Sequence, residues 1–217
     1  MGIGAFILDL LYPPRCVFCR GFLKRQPLLI CPACAKTLPR TEQGGAQRGE
    51  GFGLCLAPLY YEGTVRESLH RYKFGGASHY AGTYGALLAA CLRENADGDW
   101  DIITWAPVSR KRLRERGYDQ ARLLAEKTAA FFSAEAVPAL EKIRNTPKQS
   151  TLGSRAARRA NVAGAYRVPD PARVAGKRVL LVDDIVTTRA TLSECARALK
   201  HAGAAGVVCA ALARARE

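Results

Sequence analysis

The sequence predicts an α/β domain built on a parallel sheet, with a small cysteine-bearing module in front of it. Residues 179–182 and 102–103 are short runs of branched apolar residues without alternation, the pattern of strands buried on both faces. Each run leads into a polar turn and then a helical pattern. Those turns therefore fall at carboxyl ends of strands, where open α/β sheets bind ligands. Near the N-terminus, Cys16-x-x-Cys19 and Cys31-x-x-Cys34 stand eleven residues apart.

Taken in order, residues 1–11 read as a short amphipathic helix or turn, stopped by Tyr12-Pro13-Pro14. The stretch lacks a basic residue before Arg15 and a small-residue cleavage pattern, so it is a poor signal peptide. It is also too short to span a bilayer, as is every other apolar stretch, and a cytoplasmic location is expected. Two Cys-x-x-Cys knuckles at this separation fit a tetrahedral zinc site with Cys16, Cys19, Cys31 and Cys34 as ligands. Four thiolates leave no open position, so the zinc would be structural. A redox dithiol or disulfides are the competing readings, disfavoured in a reducing compartment. Cys55, Cys91, Cys195 and Cys209 read as buried small hydrophobes.

Residues 39–53, rich in Gly and polar side chains, look like a linker, and the boundary between an N-terminal unit (1–50) and the main domain (51–217) is set there. Residues 54–61 read as a strand, 65–74 and about 80–93 as helices, and 102–108 as a second apolar strand. The latter runs into Ser109-Arg110-Lys111-Arg112-Leu113-Arg114-Glu115-Arg116-Gly117. A basic loop there suits a pyrophosphate, whose charges want several donors at once; a solvated basic helix start is the plainer reading of part of it. A helix follows Gln120. Residues 144–155 have Pro, Gly and hydroxyls without apolar periodicity and read as a mobile loop, continued by a basic helical turn bearing Arg155, Arg158 and Arg159. Such loops close over phosphate sites, or hold a nucleic-acid backbone.

The composition agrees with a real core and an anionic partner. The 217 residues are 48% hydrophobic, and 33 basic against 19 acidic residues give a net charge of +14 and a pI near 9.7. Polyphosphates and nucleic acid are the partner classes this suggests. No Gly-x-x-x-x-Gly-Lys or Gly-x-Gly-x-x-Gly is present, which argues against P-loop and dinucleotide sites.

The organising stretch is residues 178–192. After the strand come Asp183 and Asp184, then Thr187, Thr188, Arg189, Ala190 and Thr191, and a helical pattern from Leu192 until Gly203. Carboxylates at a strand end suit vicinal ribose hydroxyls or the waters of a magnesium ion. Free N–H groups at a helix start, beside threonine hydroxyls, suit a phosphate. Helix capping by Asp184 and Thr187 is the bland alternative. This stretch resembles the phosphoribosyl-pyrophosphate (PRPP) motif of type I phosphoribosyltransferases. The resemblance implies that Asp183 and Asp184 bind the ribose and that Thr187, Thr188, Arg189, Ala190 and Thr191 hold the 5′-phosphate. It also implies PRPP with Mg2+, and Ser109, Arg110 and Lys111 for the pyrophosphate. Arg189 stands where that family has Gly, a strained choice if the loop needs positive φ there.

Several segments in order resemble the ComF family: the two Cys-x-x-Cys pairs, Tyr72-Lys73-Phe74, Arg116-Gly117-Tyr118-Asp119-Gln120-Ala121, Gln149-x-x-Leu152 with Arg158 and Asn161, and the Asp183-Asp184 motif. Asp119 stands where that family has Asn. The resemblance implies a Rossmann-like type I phosphoribosyltransferase core with an N-terminal zinc ribbon. It further implies a role in handling single-stranded DNA during natural competence, beside a helicase-type partner. Two readings stay open: an enzyme transferring phosphoribosyl to an acceptor, and a single-stranded DNA-binding adaptor with a regulatory or vestigial PRPP pocket. For the second, Arg112, Arg114, Arg116, Arg155, Arg158 and Arg159 are the nucleic-acid candidates.

Overall fold

The structure is a computed structural model that describes residues 13–24, 26–147 and 154–216, with the Arg155 side chain left out. The expected N-terminal helix, the Gln149-x-x-Leu152 motif and the centre of the expected mobile loop lie outside the described residues. A seven-stranded sheet forms the frame. Its strands are β1 (Gln47–Gly49), β2 (Phe52–Leu56), β3 (Leu59–Tyr60), β4 (Ile102–Trp105), β5 (Glu135–Ala136), β8 (Arg178–Val186) and β9 (Gly206–Arg214), and a two-stranded hairpin, β6 (Glu141–Lys142) with β7 (Tyr166–Arg167), stands apart. The order across the sheet is β1-β2-β9-β8-β4-β5, with β3 also on β9, and every pairing except β1–β2 is parallel.

Both faces are covered, which explains the unbroken apolar run. Leu180 and Val182 point into a core with Leu69 and Tyr72 of α2 (Gly63–Phe74), Tyr84 and Leu88 of α3 (Ala81–Asn95), and Leu124 of α5 (Gln120–Ala129). Val179 and Leu181 point the other way, against Leu192, Cys195 and Leu199 of α7 (Ala190–His201). Strand alternation with helices on both sides leaves no polar face. Gly85 lets α3 and α5 approach closely, since a Cβ there would lie 2.7 Å from the Lys127 Cβ.

The segment read as a linker contributes β1 and the start of β2. Gly51, at φ 84°, makes the turn between them. The segment read as one strand from residue 54 breaks at Ala57-Pro58 into β2 and β3. The four lone cysteines Cys55, Cys91, Cys195 and Cys209 are buried, as expected.

The ribbon is docked on the main domain rather than tethered to it. Val17, Phe18, Cys34 and Leu38 share one apolar core with Tyr72 and Tyr84. Arg71 donates to the Val17 and Phe18 carbonyls at 3.0 and 2.6 Å, Ser68 donates to the Val17 carbonyl, and the Leu29 N–H reaches the Thr83 hydroxyl at 3.1 Å. No described helix is long and apolar enough to cross a membrane.

Candidate functional site

Four elements end around one cavity of about 420 Å³. Its floor is the end of β8 and the loop to α7, with Asp183, Asp184, Thr187, Thr188, Arg189, Ala190 and Thr191 all lining it. One wall is Ala106, Pro107 and Val108, which follow β4, with Arg112 and Arg116. The opposite wall is Lys142 of β6, Tyr166 of β7 and Arg158 of α6 (Arg155–Val162). Lys73, at the end of α2, closes the remaining side. The whole site lies at the carboxyl edge of the parallel strands.

The two aspartates do not follow the strand; they belong to it. β8 extends through Val186, so alternation sends their side chains to opposite faces. Asp184 is 6% exposed and meets the Lys73 ammonium at 2.9 Å. Asp183 sits on the face of α7 and accepts the Asp184 N–H at 2.8 Å. Burial first, and then the Asp184 charge, push the Asp183 carboxyl well above its ordinary range, while Lys73 opposes the shift. A bound cation or hydroxyl donors would relieve the same strain on the anion.

The loop resolves the question raised by Arg189. Its φ is 63° and ψ −2°, a left-handed conformation immediately before α7. Glycine adopts this without cost, whereas a side chain is disfavoured there. A Rossmann-type loop that turns from strand to helix in three residues needs the left-handed position, and this chain fills it with arginine.

The basic segment after β4 takes the plainer of its two expected forms, a basic helix start, and turns other residues to the cavity than the pyrophosphate reading chose. Instead of a loop it is helix α4 (Arg110–Arg116), capped by Ser109, whose hydroxyl accepts the Arg112 N–H at 3.4 Å, and ended by Gly117 at φ 80°. Helical rotation turns Arg112 and Arg116, four apart, toward the cavity. Arg110, Lys111 and Arg114 are exposed and do not line it; Arg110 instead approaches Glu141 at 3.7 Å. Ser109 is buried with its hydroxyl used as the cap. Arg116 donates to the Gln120 side chain at 2.6 Å, and Arg112 to the Thr146 carbonyl at 3.2 Å. Asp119 uses both carboxylate oxygens, on the N–H groups of Val108 (3.0 Å) and Arg122 (3.2 Å). It thus ties the cavity wall to the start of α5.

The nucleic-acid candidates are not gathered on one face. Arg112, Arg116 and Arg158 line the cavity, Arg114 projects outward, and Arg159 pairs with Glu50 in a neighbouring cleft behind Arg189. Asn161 donates to the Pro147 carbonyl at 3.3 Å, and Arg144 to the Ala163 carbonyl at 2.6 Å, anchoring residues 144–147, the N-terminal side of the loop, to the end of α6. Sequence reasoning missed Lys73 and Lys142 as cavity residues. Lys73 sat within a noted motif but carried no local sign of its ion pair. Lys142 had no signal at all, because only the β6–β7 hairpin carries it to the site.

The second centre is the cysteine cluster. The sulfurs of Cys16, Cys19, Cys31 and Cys34 all lie within 4.8 Å of one another, with Cys19 and Cys31 at 3.6 Å. Tetrahedral zinc with Zn–S of about 2.3 Å sets sulfurs about 3.8 Å apart, so the set fits that ion. Backbone N–H groups of Gly21, Cys31 and Cys34 point at Cys19, Cys16 and Cys31 sulfurs at 3.4 Å, the donors a bound thiolate requires. The ion would hold the two knuckles together and has no open position for chemistry.

Comparison with known proteins matches these two parts separately. The family described as "Phosphoribosyl transferase domain" matches residues 120–217, and "Double zinc ribbon domain" matches residues 7–55. Among the described residues only one four-cysteine cluster is present. The DNA utilization protein YhgH of Escherichia coli (strain K12) is 30% identical over 188 residues, 82% of this chain and 81% of that one. Competence protein ComFC of Streptococcus pneumoniae is 27% identical over 202 residues, 92% of this chain and 87% of that one. Among solved structures, the glutamine PRPP amidotransferase of B. subtilis, complexed with ADP and GMP, is 21% identical with a TM-score of 0.40; it covers 64% of this chain, which spans 30% of that longer one. Zinc ribbon, phosphoribosyltransferase domain and full-length relatives together place the chain in the ComF family.

Proposed function

We propose that the cavity binds PRPP and that the chain acts in the use of incoming DNA, as the names of its relatives indicate. The observation that supports this best is the pairing, in one cavity, of Asp183 and Asp184 with Thr187 and Thr188 of the strand-to-helix loop and Thr191 of the first turn of α7, facing a cationic wall. The aspartates would accept from the ribose hydroxyls. Residues 187–191, with the first N–H groups of α7, would hold the 5′-phosphate. Arg112 and Arg116, rather than Arg110 and Lys111, would meet the pyrophosphate. Magnesium carried in with PRPP would neutralise the pyrophosphate, and the strain on Asp183 favours a cation nearby.

If transfer occurs, the C1′–O bond to pyrophosphate breaks and an acceptor lone pair forms the new bond to C1′. Positioning and charge would carry most of the catalysis. The alternative, a DNA-binding adaptor, has less support, because the candidate arginines are divided between the cavity, a second cleft and the outer surface.

Calorimetry tests the proposal on the zinc-loaded protein with PRPP and Mg2+. Micromolar binding is expected, lost in Asp183→Asn/Asp184→Asn and weakened in Arg112→Ala, but unchanged in Arg110→Ala. Absence of binding by well-folded wild type would overturn the reading and make DNA binding the function to pursue.

A further inference from the structure

Lys142 reaches the cavity from a part of the chain that no motif marks. It lies directly opposite Tyr166 in the β6–β7 register, with its ammonium 5.0 Å from the ring centroid. The neighbouring cross-strand pair, Glu141 and Arg167, is bridged at 2.8 Å on the other side of the hairpin. Alternation thus directs the carboxylate away and leaves Lys142 facing inward. The charged and titratable groups that bear on it are Arg112 of α4, Arg144 beyond β6, Asp183 of β8, Cys195 of α7 and Tyr166 of β7. Among the described residues no carboxylate forms an ion pair with it.

We infer that Lys142 is a proton-gated contact, which takes up a proton when an anionic phosphate group enters the cavity and thereby becomes the cation that holds it. This deepens the PRPP reading and rests on it. Two features of the cavity produce the behaviour: Lys142 is held inward by the hairpin beside Arg112, and the space it faces is open to an anion. Burial, and then the facing Arg112, lower the Lys142 pKa to about 8 in the ligand-free protein. A phosphate a few ångströms away reverses the second effect and offsets the first. Between about pH 8 and the ordinary lysine range, binding must therefore draw a proton from solvent, and affinity falls as pH rises through that window. Below about pH 7 the side chain is already charged and no uptake from it remains. A permanently charged residue at the same place would bind without this dependence.

Calorimetry at pH 8 in two buffers of different ionisation enthalpy reads the proton count directly. PRPP with Mg2+ and pyrophosphate with Mg2+ are the probes, and wild type, Lys142→Arg and Lys142→Met are compared. Wild type is expected to take up about half a proton more than Lys142→Arg, as follows from a group half-protonated at pH 8. Protons exchanged by the ligand or by Asp183 are common to both and cancel. Lys142→Met is expected to bind about tenfold more weakly at pH 7, the usual scale of one charge-assisted contact. Equal proton counts in wild type and Lys142→Arg, with PRPP still bound, would sink the role of Lys142 and leave the cavity reading intact. Failure of folded wild type to bind either probe would sink both. Pyrophosphate binding that shows the same proton difference would place Lys142 at the pyrophosphate end of the ligand.

Discussion

Replacing Lys73 by methionine tests how the cavity holds its two carboxylates. The ammonium lies 2.9 Å from Asp184 Oδ2, with side-chain exposures of 20% and 9%. It is also the cation that opposes the upward shift of Asp183. Methionine keeps the unbranched stem and removes the charge, so the loss is electrostatic rather than a cavity. Breaking a buried pair from one side typically costs 3–5 kcal/mol, and the residual exposure of Lys73 brings the expected value to about 3 kcal/mol at pH 8. For a chain of this size that is roughly 6–12 °C in Tm. The pH dependence has a definite sign. An acid with a raised folded pKa leaves the native state holding more protons than the unfolded one, so stability falls as pH rises through the window between the two values. Lys73→Met removes the cation that opposes the upward shift of Asp183 and so raises its folded pKa further, so the deficit should be largest near pH 8 and shrink toward pH 5. Thermal unfolding of wild type, Lys73→Met, Asp184→Asn and the double variant completes a cycle, with an expected coupling of about 2 kcal/mol. A Lys73→Met protein within about 1 °C of wild type at pH 8, roughly 0.3 kcal/mol, with no coupling in the cycle, would refute this account of the site.

Arg189→Gly removes a side chain from a left-handed position, a relief of about 1–2 kcal/mol that the greater freedom of unfolded glycine partly offsets. Tm should stay level or rise by about 2–4 °C, while PRPP affinity falls if the guanidinium touches the phosphate; a marked drop in Tm would show that the loop needs the arginine for packing. Removing zinc, by chelation or by Cys34→Ser, should lower the main unfolding transition itself, because Phe18 and Cys34 share a core with Tyr72 and Tyr84. Elemental analysis should find about one zinc per chain in wild type, the stoichiometry of a four-thiolate site. A separate low-temperature transition, with the main one unmoved, would mean that the ribbon melts alone.

What could be read from the sequence divides along physical lines. The β8 run was legible because a strand covered on both faces has no need of alternation, and Leu180 and Leu181 are both fully buried. The cysteine cluster was legible because two knuckles carry their own ligand spacing. Helix α4 was legible only as a solvated basic helix start, and its inward face was not, since five of its seven residues are basic and none is buried, leaving no apolar period to read. Its signals were the ends alone, Ser109 at the cap and Gly117 just beyond. Strand β1 was hidden for another reason. Its sequence, Gln47-Arg48-Gly49, is that of a linker, and it becomes a strand by pairing with β2, itself fixed by β9 more than 150 residues away (Cys55 with Cys209). Propensity cannot report a partner so distant.

The site was half legible for the same reason, and the half that was hidden decides its chemistry. Asp183, Asp184 and the three threonines come from one continuous stretch, so their proximity is guaranteed by chain connectivity. Their surroundings are not. Asp184 pairs with Lys73 of α2, and the Asp183 carboxyl is pushed up by burial and by the Asp184 charge. The cationic wall depends on which turn of α4 faces inward and on a hairpin whose inward residue is Lys142. A motif therefore names the atoms that would touch the ribose, whereas the cations that would hold a pyrophosphate come from three elements separated in sequence. Arg189 joins the two cases. Its presence is visible in the sequence, but only the φ of 63° shows that the loop demands the conformation glycine would supply. Arg189 lines both the cavity and the neighbouring cleft, so Arg189→Gly separates two quantities in one protein: Tm reads the conformational cost of about 1–2 kcal/mol, and PRPP affinity reads any contact of the guanidinium with the ligand.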